Sequence, residues 1–334
     1  MFAEPPHAAP LSARMLARMR VVVTGGAGFI GANLCRRLGS VSEVSEVVVI
    51  DDLSTGYASN LEGLEKVELV QGTILDADVL DKALVGTEAV VHLAARSSVP
   101  RSLDDPLATH AANATGTLDV LEAVRRAGGV HVVLASSSSV YGSNPAQPKS
   151  EDLTPMPMSP YAVSKLASES YGLAHAACFA MPVLALRFFN VFGPLQPPHH
   201  TYAAVVPAFV DAALAGLPLP VYGDGLQTRD FTYVDSVAGV LVDAVLRRVT
   251  HPVPVNLAFG TRVTLLELIA ELESILGHPL ETHHLPPRAG DVRASQADQN
   301  RLRQLFPEAR PVALSTGLRA TVAWFRSRGG AGSP

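Results

Sequence analysis

Short runs of β-branched and aliphatic residues alternate with longer amphipathic stretches through the first 190 residues of the chain. Arg20–Thr24, Val47–Asp51, Val67–Gln71, Ala89–Leu93 and Val130–Ala135 read as strands, and helical spacing begins near Gly28, Asp76 and Pro106. The strand runs are almost continuously apolar instead of alternating, which marks strands buried on both faces, as in a parallel sheet covered by helices. With right-handed crossovers this predicts an α/β fold with a doubly wound parallel sheet, its ligands outside the carboxyl ends of the strands. After Phe189 the pattern loosens, because prolines at Pro194–Pro198, Pro218–Pro220, Pro252–Pro254 and Pro286–Pro287 cut the chain into short elements. Helices are expected at Ala203–Ala215, Val234–Arg248 and Leu265–Leu276, within a smaller C-terminal lobe interleaved with the sheet. The expected division is a disordered tail at 1–19, a sheet domain at 20–190 and the smaller lobe at 191–330.

Composition narrows the classes. Of 334 residues, 48% are hydrophobic and 17% charged, enough apolar material for a large packed core and unlike a disordered or fibrous chain. A net charge of −5, with no basic run interleaved with aromatics, disfavours a nucleic-acid partner. No apolar run approaches the roughly 20 residues of a membrane span. The first 19 residues hold Arg14 and Arg18 but no apolar core of a secretory signal. Cys35 and Cys178 fall in predicted helices and read as core filler, and so few thiols suit a cytoplasmic protein.

The first strand runs into Thr24-Gly25-Gly26-Ala27-Gly28-Phe29-Ile30-Gly31. Glycines between a strand and a helix let the backbone approach a pyrophosphate, which meets the free N–H groups and positive dipole end of the helix. An acid follows about 20 residues later, Asp51, at the end of the second strand. A carboxylate there accepts bonds from ribose hydroxyls and repels a 2′-phosphate, so the expected cofactor is NAD and the fold a Rossmann type. A plain structural turn would explain the glycines alone but not the strand, helix and acid around them.

Tyr161-Ala-Val-Ser-Lys165 follows Ser159-Pro160, a serine and proline suited to a helix start. Four residues apart on a helix, the phenol and the ammonium share a face. Lys165 is expected to lower the Tyr161 pKa, so that the phenol works as a general base on a hydroxyl. Seven tyrosines and four lysines give this spacing by chance about 8% of the time, so position matters as much as pattern. The pair opens a helix soon after the fifth strand, which ends in Ser136-Ser137-Ser138-Ser139-Val140-Tyr141-Gly142. Serines at a strand end bind substrate hydroxyls and relay protons, or form an ordinary polar turn.

Taken together, VTGGAGFIG, DDLSTG, HLAA, SVPRS, SSSSVYG, SPYAVSK, LRFFNVFGP, RDFTYVD and PPRAGDVRASQAD resemble the extended short-chain dehydrogenase/reductases that act on nucleotide sugars. The resemblance covers nearly the whole chain after residue 19 and is nearest to UDP-sugar 4-epimerases, above all those handling UDP-N-acetylglucosamine. It implies a cofactor site of Gly25, Gly28, Phe29, Ile30, Gly31, Asp51, Asp52, Ile74, Leu93, Ala94, Ala95, Asn113, Tyr161, Lys165 and Phe188. Asn113 would lie near the nicotinamide, and Lys165 would also hold its ribose. For the UDP-sugar it implies Ser137, Asn190, Val205, Tyr222, Arg229, Arg288, Asp291 and Ser295, with Asn190, Arg229 and Arg288 serving the diphosphate and Asp291 the ribose. Many relatives carry an acid just after the third strand, where this chain has Thr73.

Sibling enzymes that eliminate water resemble one another in an Asp-Glu pair ahead of Val-Tyr-Gly, and decarboxylases keep a Glu there. This chain has Ser138 and Ser139 instead. A hydroxyl cannot take a proton from carbon as a carboxylate does, which leaves oxidation and re-reduction at C4, with Tyr161 assisted by Ser137 or Ser138. By the same resemblance Ser295 lines the sugar pocket, and its small side chain leaves room for a 2-acetamido group. The implied substrates are UDP-GlcNAc/UDP-GalNAc and UDP-Glc/UDP-Gal, with UDP-glucuronate open. A non-catalytic dinucleotide sensor is the other class, opposed by the intact tyrosine and lysine. His199-His200 and His283-His284 read as solvated loop residues, not metal ligands. The helices from Pro106 and Tyr161 resemble the pair through which relatives form homodimers.

Overall fold

The structure is a computed structural model that describes residues 19–198, 204–286 and 293–329. The expected tail lies outside them except for Met19, which opens the first strand. The N-terminal half lays down β1 (Met19–Thr24), α1 (Phe29–Gly39), β2 (Val44–Asp51), β3 (Val67–Gln71), α2 (Ala77–Ala83) and β4 (Ala89–His92). Then come α3 (Val99–Asp104), α4 (Pro106–His110), a single π turn (Ala111–Thr115), α5 (Gly116–Arg126) and β5 (His131–Ser137). A 3-10 turn (Ser138–Tyr141) leads towards α6 (Pro160–Phe179) and β6 (Val183–Phe188). The rest comprises β7 (Asn190–Phe192), α7 (Val205–Leu214), β8 (Leu219–Tyr222), β9 (Thr228–Arg229), β10 (Phe231–Tyr233), α8 (Val234–Arg247) and β11 (Val255–Leu257). It closes with β12 (Val263–Thr264), α9 (Leu265–Leu276), β13 (Thr282–Leu285), α10 (Asn300–Leu305) and α11 (Leu314–Gly329).

Seven strands form one parallel sheet in the order β11-β6-β5-β4-β1-β2-β3. The order reverses between β1 and β4, and the crevice at such a switch point is where open α/β sheets bind ligands. Side chains alternate between the two faces. Val21, Val23, Val47 and Val49 pack on one side, where α1 and α8 lie, while Val22, Val48 and Ile50 pack on the other with residues of α2 and α5. Full burial on both faces explains the unbroken valine runs.

The later chain builds a second core from Phe192, Phe209, Leu219, Leu268, Leu272, Leu318 and Val322. The two parts interleave, since α8, β11 and α10 also contribute to the sheet's core. α9 starts on a capping box between Thr264 and Glu267 and stops at Gly277, whose φ of 83° suits a left-handed cap.

Several expectations change. β6 and β11 are further strands beyond the five expected, and the single helix expected from Pro106 is α4, a π turn and α5. β5 runs on to Ser137, two residues past its expected end. Leu93 falls outside β4. His283 and His284 sit on β13, paired with β8, not in a loop. Cys35 is buried but Cys178 is exposed, because the buried stripe of α6 ends one turn earlier, at His175.

Candidate active site

β1 delivers the chain to Gly25, whose φ of 71° is left-handed and whose absent Cβ would stand 2.7 Å from the Ala94 nitrogen. A Cβ on Gly31 would lie 2.2 Å from the Gly25 carbonyl oxygen and 2.6 Å from the Gly26 Cα, so only glycine lets α1 pack against the turn. Gly28 has a different setting: its Cβ would meet only the Gly25 oxygen, at 3.3 Å, and the residue lines an open cleft. α1 begins immediately afterwards with no side-chain cap. Its first-turn N–H groups and positive dipole end are therefore available to an anion lying against Gly28.

Asp51 closes β2 beside this turn. One carboxylate oxygen accepts the Ala27 N–H and the other the Leu53 N–H, each at 2.9 Å. Burial pushes its pKa up from the ordinary carboxylate value, while the backbone bonds pull the other way. Asp51 thus braces the glycine turn while facing the cleft, and the set fits a dinucleotide: close backbone for phosphates, a carboxylate for ribose hydroxyls.

α6 positions the candidate reacting pair. Its Ser159 cap accepts the Ala162 N–H at 3.1 Å and Pro160 fills the first position, which sets Tyr161 and Lys165 on the helix face turned inward. Tyr161 hydrogen-bonds Ser137 at the end of β5. Burial raises the phenol above its ordinary pKa, and the Ser137 bond lowers it. Lys165 is 5% exposed, and burial brings it down to about 8 against the opposing charge of Glu169. The lysine couples to Glu169 and to His92, so the lowering of the phenol by Lys165 expected from the sequence is not provided by the protein alone. His92 is driven to about 3 by burial, then by Lys165, and its ring nitrogens bond Thr24 at 2.6 Å and Thr117 at 3.0 Å. It is a neutral brace between β1, β4 and α5.

A cleft of about 940 Å³ opens over the carboxyl ends of the strands. Gly25, Gly28, Phe29, Ile30, Gly31, Asp51, Asp52, Ile74, Leu93, Ala94, Ala95, Phe188, Tyr161 and Lys165 all line it, as do Ser137, Asn190, Val205, Tyr222 and Arg229. Thr73 lines it too, its hydroxyl accepting the Leu75 N–H at 3.3 Å. Three expected residues do not. Ser138 enters the 3-10 turn, so Ser137 is the serine presented to Tyr161. Asn113 is spent inside the protein: it accepts the Arg96 N–H at 2.7 Å and donates to the Arg96 carbonyl and the Ser164 hydroxyl. It fixes the loop after β4 from behind, with no face on the cleft. Ser295 is buried, its N–H donating to the carbonyl of Thr228, the neighbour of Arg229. Arg288, Asp291, His199 and His200 lie outside the described residues.

The cleft also includes Arg96 and Ser97, which motif reading did not single out, and Ser98 and Arg101, which it quoted within SVPRS without giving them a role. Ser98 caps α3 with a φ of 103°, strained for a side-chain-bearing residue and typical of functional loops. The run Ser98-Val99-Pro100-Arg101-Ser102 was the available signal. Among the described residues no group of three or more His, Cys, Asp or Glu is placed to hold a metal ion. Nor is any described helix long and apolar enough to cross a membrane.

A glycine turn at the switch point of a parallel sheet, with a half-buried tyrosine and a buried lysine one helical turn apart on the next wall, defines an extended short-chain dehydrogenase/reductase. Residues 21–258 match the NAD dependent epimerase/dehydratase family, to which the chain belongs, and its cofactor is NAD. It is 40% identical to the UDP-glucose 4-epimerase of Mycolicibacterium smegmatis, over 93% of this chain and 99% of that one. Among solved structures it resembles the UDP-N-acetylglucosamine 4-epimerase of Methanobrevibacter ruminantium M1 in complex with UDP-N-acetylmuramic acid, with a TM-score of 0.87 and 35% identity over 93% of this chain and 99% of the other. The UDP-glucuronic acid 4-epimerase of Bacillus cereus, in complex with UDP-glucuronic acid and NAD, is similar at a TM-score of 0.84 and 31% identity, covering 93% of this chain and all of that one.

Proposed function

We propose that this enzyme interconverts the C4 epimers of a UDP-hexose through a transient 4-keto sugar. The observation that carries this reading is the distribution of acids. The only carboxylates on the described cleft wall are Asp51 and Asp52, both at the glycine turn and remote in sequence from the Tyr161 wall. At the Tyr161 end the polar groups are serine, asparagine, lysine and the phenol. Among the described residues no carboxylate stands there to take a proton from carbon, as an elimination requires, so redox at C4 is left.

NAD, when bound, supplies a hydride acceptor that gives the hydrogen back to the other face of the same carbon. The protein does the rest. Tyr161 takes the 4-hydroxyl proton and returns it, and Ser137, bonded to the phenol, relays it. Lys165 holds positive charge where the phenolate forms. Asn190, Tyr222 and Arg229 lie across the cleft on the later chain and suit the UDP moiety, with Val205 beside them. Arg288 and Asp291 keep the roles that the family resemblance implies. In this reading residues 20–190 carry NAD and the reacting pair, and residues 191–330 mainly hold the substrate.

The substrate reading is UDP-GlcNAc/UDP-GalNAc together with UDP-Glc/UDP-Gal, supported by relatives that bear both names. UDP-glucuronate is the second reading, favoured by Arg96 and Arg101 on the cleft wall, cations able to receive a C6 carboxylate. Purified protein incubated with each sugar and no added NAD, followed by NMR, is expected to yield the C4 epimer fastest from the acetylated or neutral hexoses. Turnover confined to the glucuronate would overturn the substrate reading, and no C4 epimer from any sugar, even with NAD supplied, the whole proposal.

Leu103, Leu107, Val163, Tyr171 and Phe179 are exposed apolar side chains on α3, α4 and α6. We take them as the face of a homodimer, and a cytoplasmic location suits the two free cysteines. Sedimentation equilibrium is expected to give twice the chain mass, and a monomer at micromolar concentration would refute the dimer.

A further inference from the structure

Behind Lys165 lies a buried ion pair that the reaction, as described, does not use. Glu169, one turn further along α6, is 3% exposed, and Arg187 on β6 is 2% exposed. The guanidinium grips the carboxylate with both arms, Nε to Oε2 at 2.9 Å and Nη2 to Oε1 at 2.6 Å. Ser136 donates its hydroxyl to the same Oε2 at 2.6 Å. On its far side Arg187 places Cζ 4.7 Å from the centre of the Tyr141 ring, and the Tyr141 hydroxyl donates to Asn256 at 2.6 Å. One carboxylate thus joins α6, β5 and β6.

Such a pair is costly to bury, and apolar residues of equal volume often give a fold as stable. Its placement is specific. Tyr161, Lys165 and Glu169 recur at intervals of four on one helix face, and Ser136 directly precedes Ser137, the partner of the phenol. We propose that Glu169, held by Arg187, is a positioning residue of the active site: it fixes the helix turn bearing Lys165 against the strand end bearing Ser137 and supplies the negative charge that keeps Lys165 an ammonium. This rests on the assignment of Tyr161 and Lys165 as the reacting pair.

The charges around Lys165 leave that task to Glu169. On its own helix stand Tyr161 and Glu169. β4 presents His92, kept neutral by burial. β6 presents Arg187, and the 3-10 turn presents Tyr141, whose phenol is pushed up to about 12 by burial. The π turn carries no titratable side chain, and His131, the one on β5, bonds the Val249 carbonyl at the opposite strand end. On α5, Glu122 is taken by Arg125 and His175. Arg101 on α3 and Arg96 in the loop before it line the cleft, Arg96 paired with Asp105 at 3.5 Å. Among the described residues Glu169 is therefore the one anion coupled to the ammonium, and it opposes the burial that brings Lys165 to about 8.

The chain has only four lysines, so NMR of NAD-loaded protein carrying labelled lysine resolves Lys165 once a Lys165→Arg variant assigns it. In Glu169→Gln the Lys165 titration midpoint is expected to fall by about one pH unit or more. Glu169→Asp, which keeps the charge, should recover most of that shift. Arg187 would be left unpaired in Glu169→Gln, which endangers folding, so the double variant Glu169→Leu/Arg187→Met provides a neutral, apolar replacement in which the midpoint should also fall. The alkaline limb of kcat should move down in parallel with little change in KM, which a merely structural role would not produce. A Lys165 midpoint unchanged in both Glu169→Gln and the double variant would overturn the proposal. The midpoint is read without substrate, so it stands or falls separately from the C4 reaction.

Discussion

Tyr161→Phe is expected to lower kcat by about 10³-fold while leaving NAD bound and the fold intact. Phenylalanine keeps the half-buried ring and removes only the oxygen that is to carry the proton. The lost partner, Ser137, still accepts from the Ser139 N–H at 3.2 Å and the Ser139 hydroxyl at 2.9 Å, so it is not orphaned and the cost to stability should stay near 1 kcal/mol. The glycine turn and Asp51, which in the proposed site hold the other end of the dinucleotide, do not bond the phenol. Steady-state kinetics together with the absorbance of retained cofactor check this. Retention of more than a tenth of the activity would remove Tyr161 from the proton path.

Lys165→Met should cost a comparable share of activity yet leave the protein as stable as before, or more so. Burial lowers the lysine from 10.5 to about 8 in the folded state. Between those values the unfolded chain binds the additional proton, so this group makes stability rise with pH across the window. Below pH 8 the whole cost of burying the charge is present, roughly 3 kcal/mol at 1.36 kcal/mol per unit. Methionine fills the same space without the charge, and Glu169 keeps its bonds to Arg187 and Ser136. Urea unfolding at pH 7 and equal NAD occupancy should therefore show an unchanged or higher midpoint, with the gain fading towards pH 10. A marked loss of stability at pH 7 would mean that the ammonium is better solvated by its neighbours than burial implies.

The cofactor half was legible in the sequence because its parts are local: a strand, a glycine turn, a helix start and an acid one strand later. The tyrosine and lysine were legible for the same reason, as neighbours on one helix. What the sequence concealed depends on packing between distant segments. β6 was missed because Val183–Phe188 includes Arg187, which reads as a surface charge until its buried partner on α6 is seen. β11 is three residues long and carries no period. Which of four serines meets the phenol depended on where β5 ends, and the strand runs far enough to make it Ser137. Asn113 looked like a cofactor residue by resemblance, whereas the π turn directs its amide to Arg96 and Ser164. Thr73 reaches the cleft as the third-strand spacing implied, without the carboxylate that many relatives carry.

The hydrogen at C4 offers the most direct test of the proposed reaction. A UDP-hexose that the enzyme accepts, deuterated at C4, should give the epimer with deuterium still at C4 when turned over in ordinary water without added NAD. Exchange of that deuterium for solvent hydrogen would contradict the mechanism, since it would mean that a proton, and not a hydride held on bound NAD, leaves the carbon.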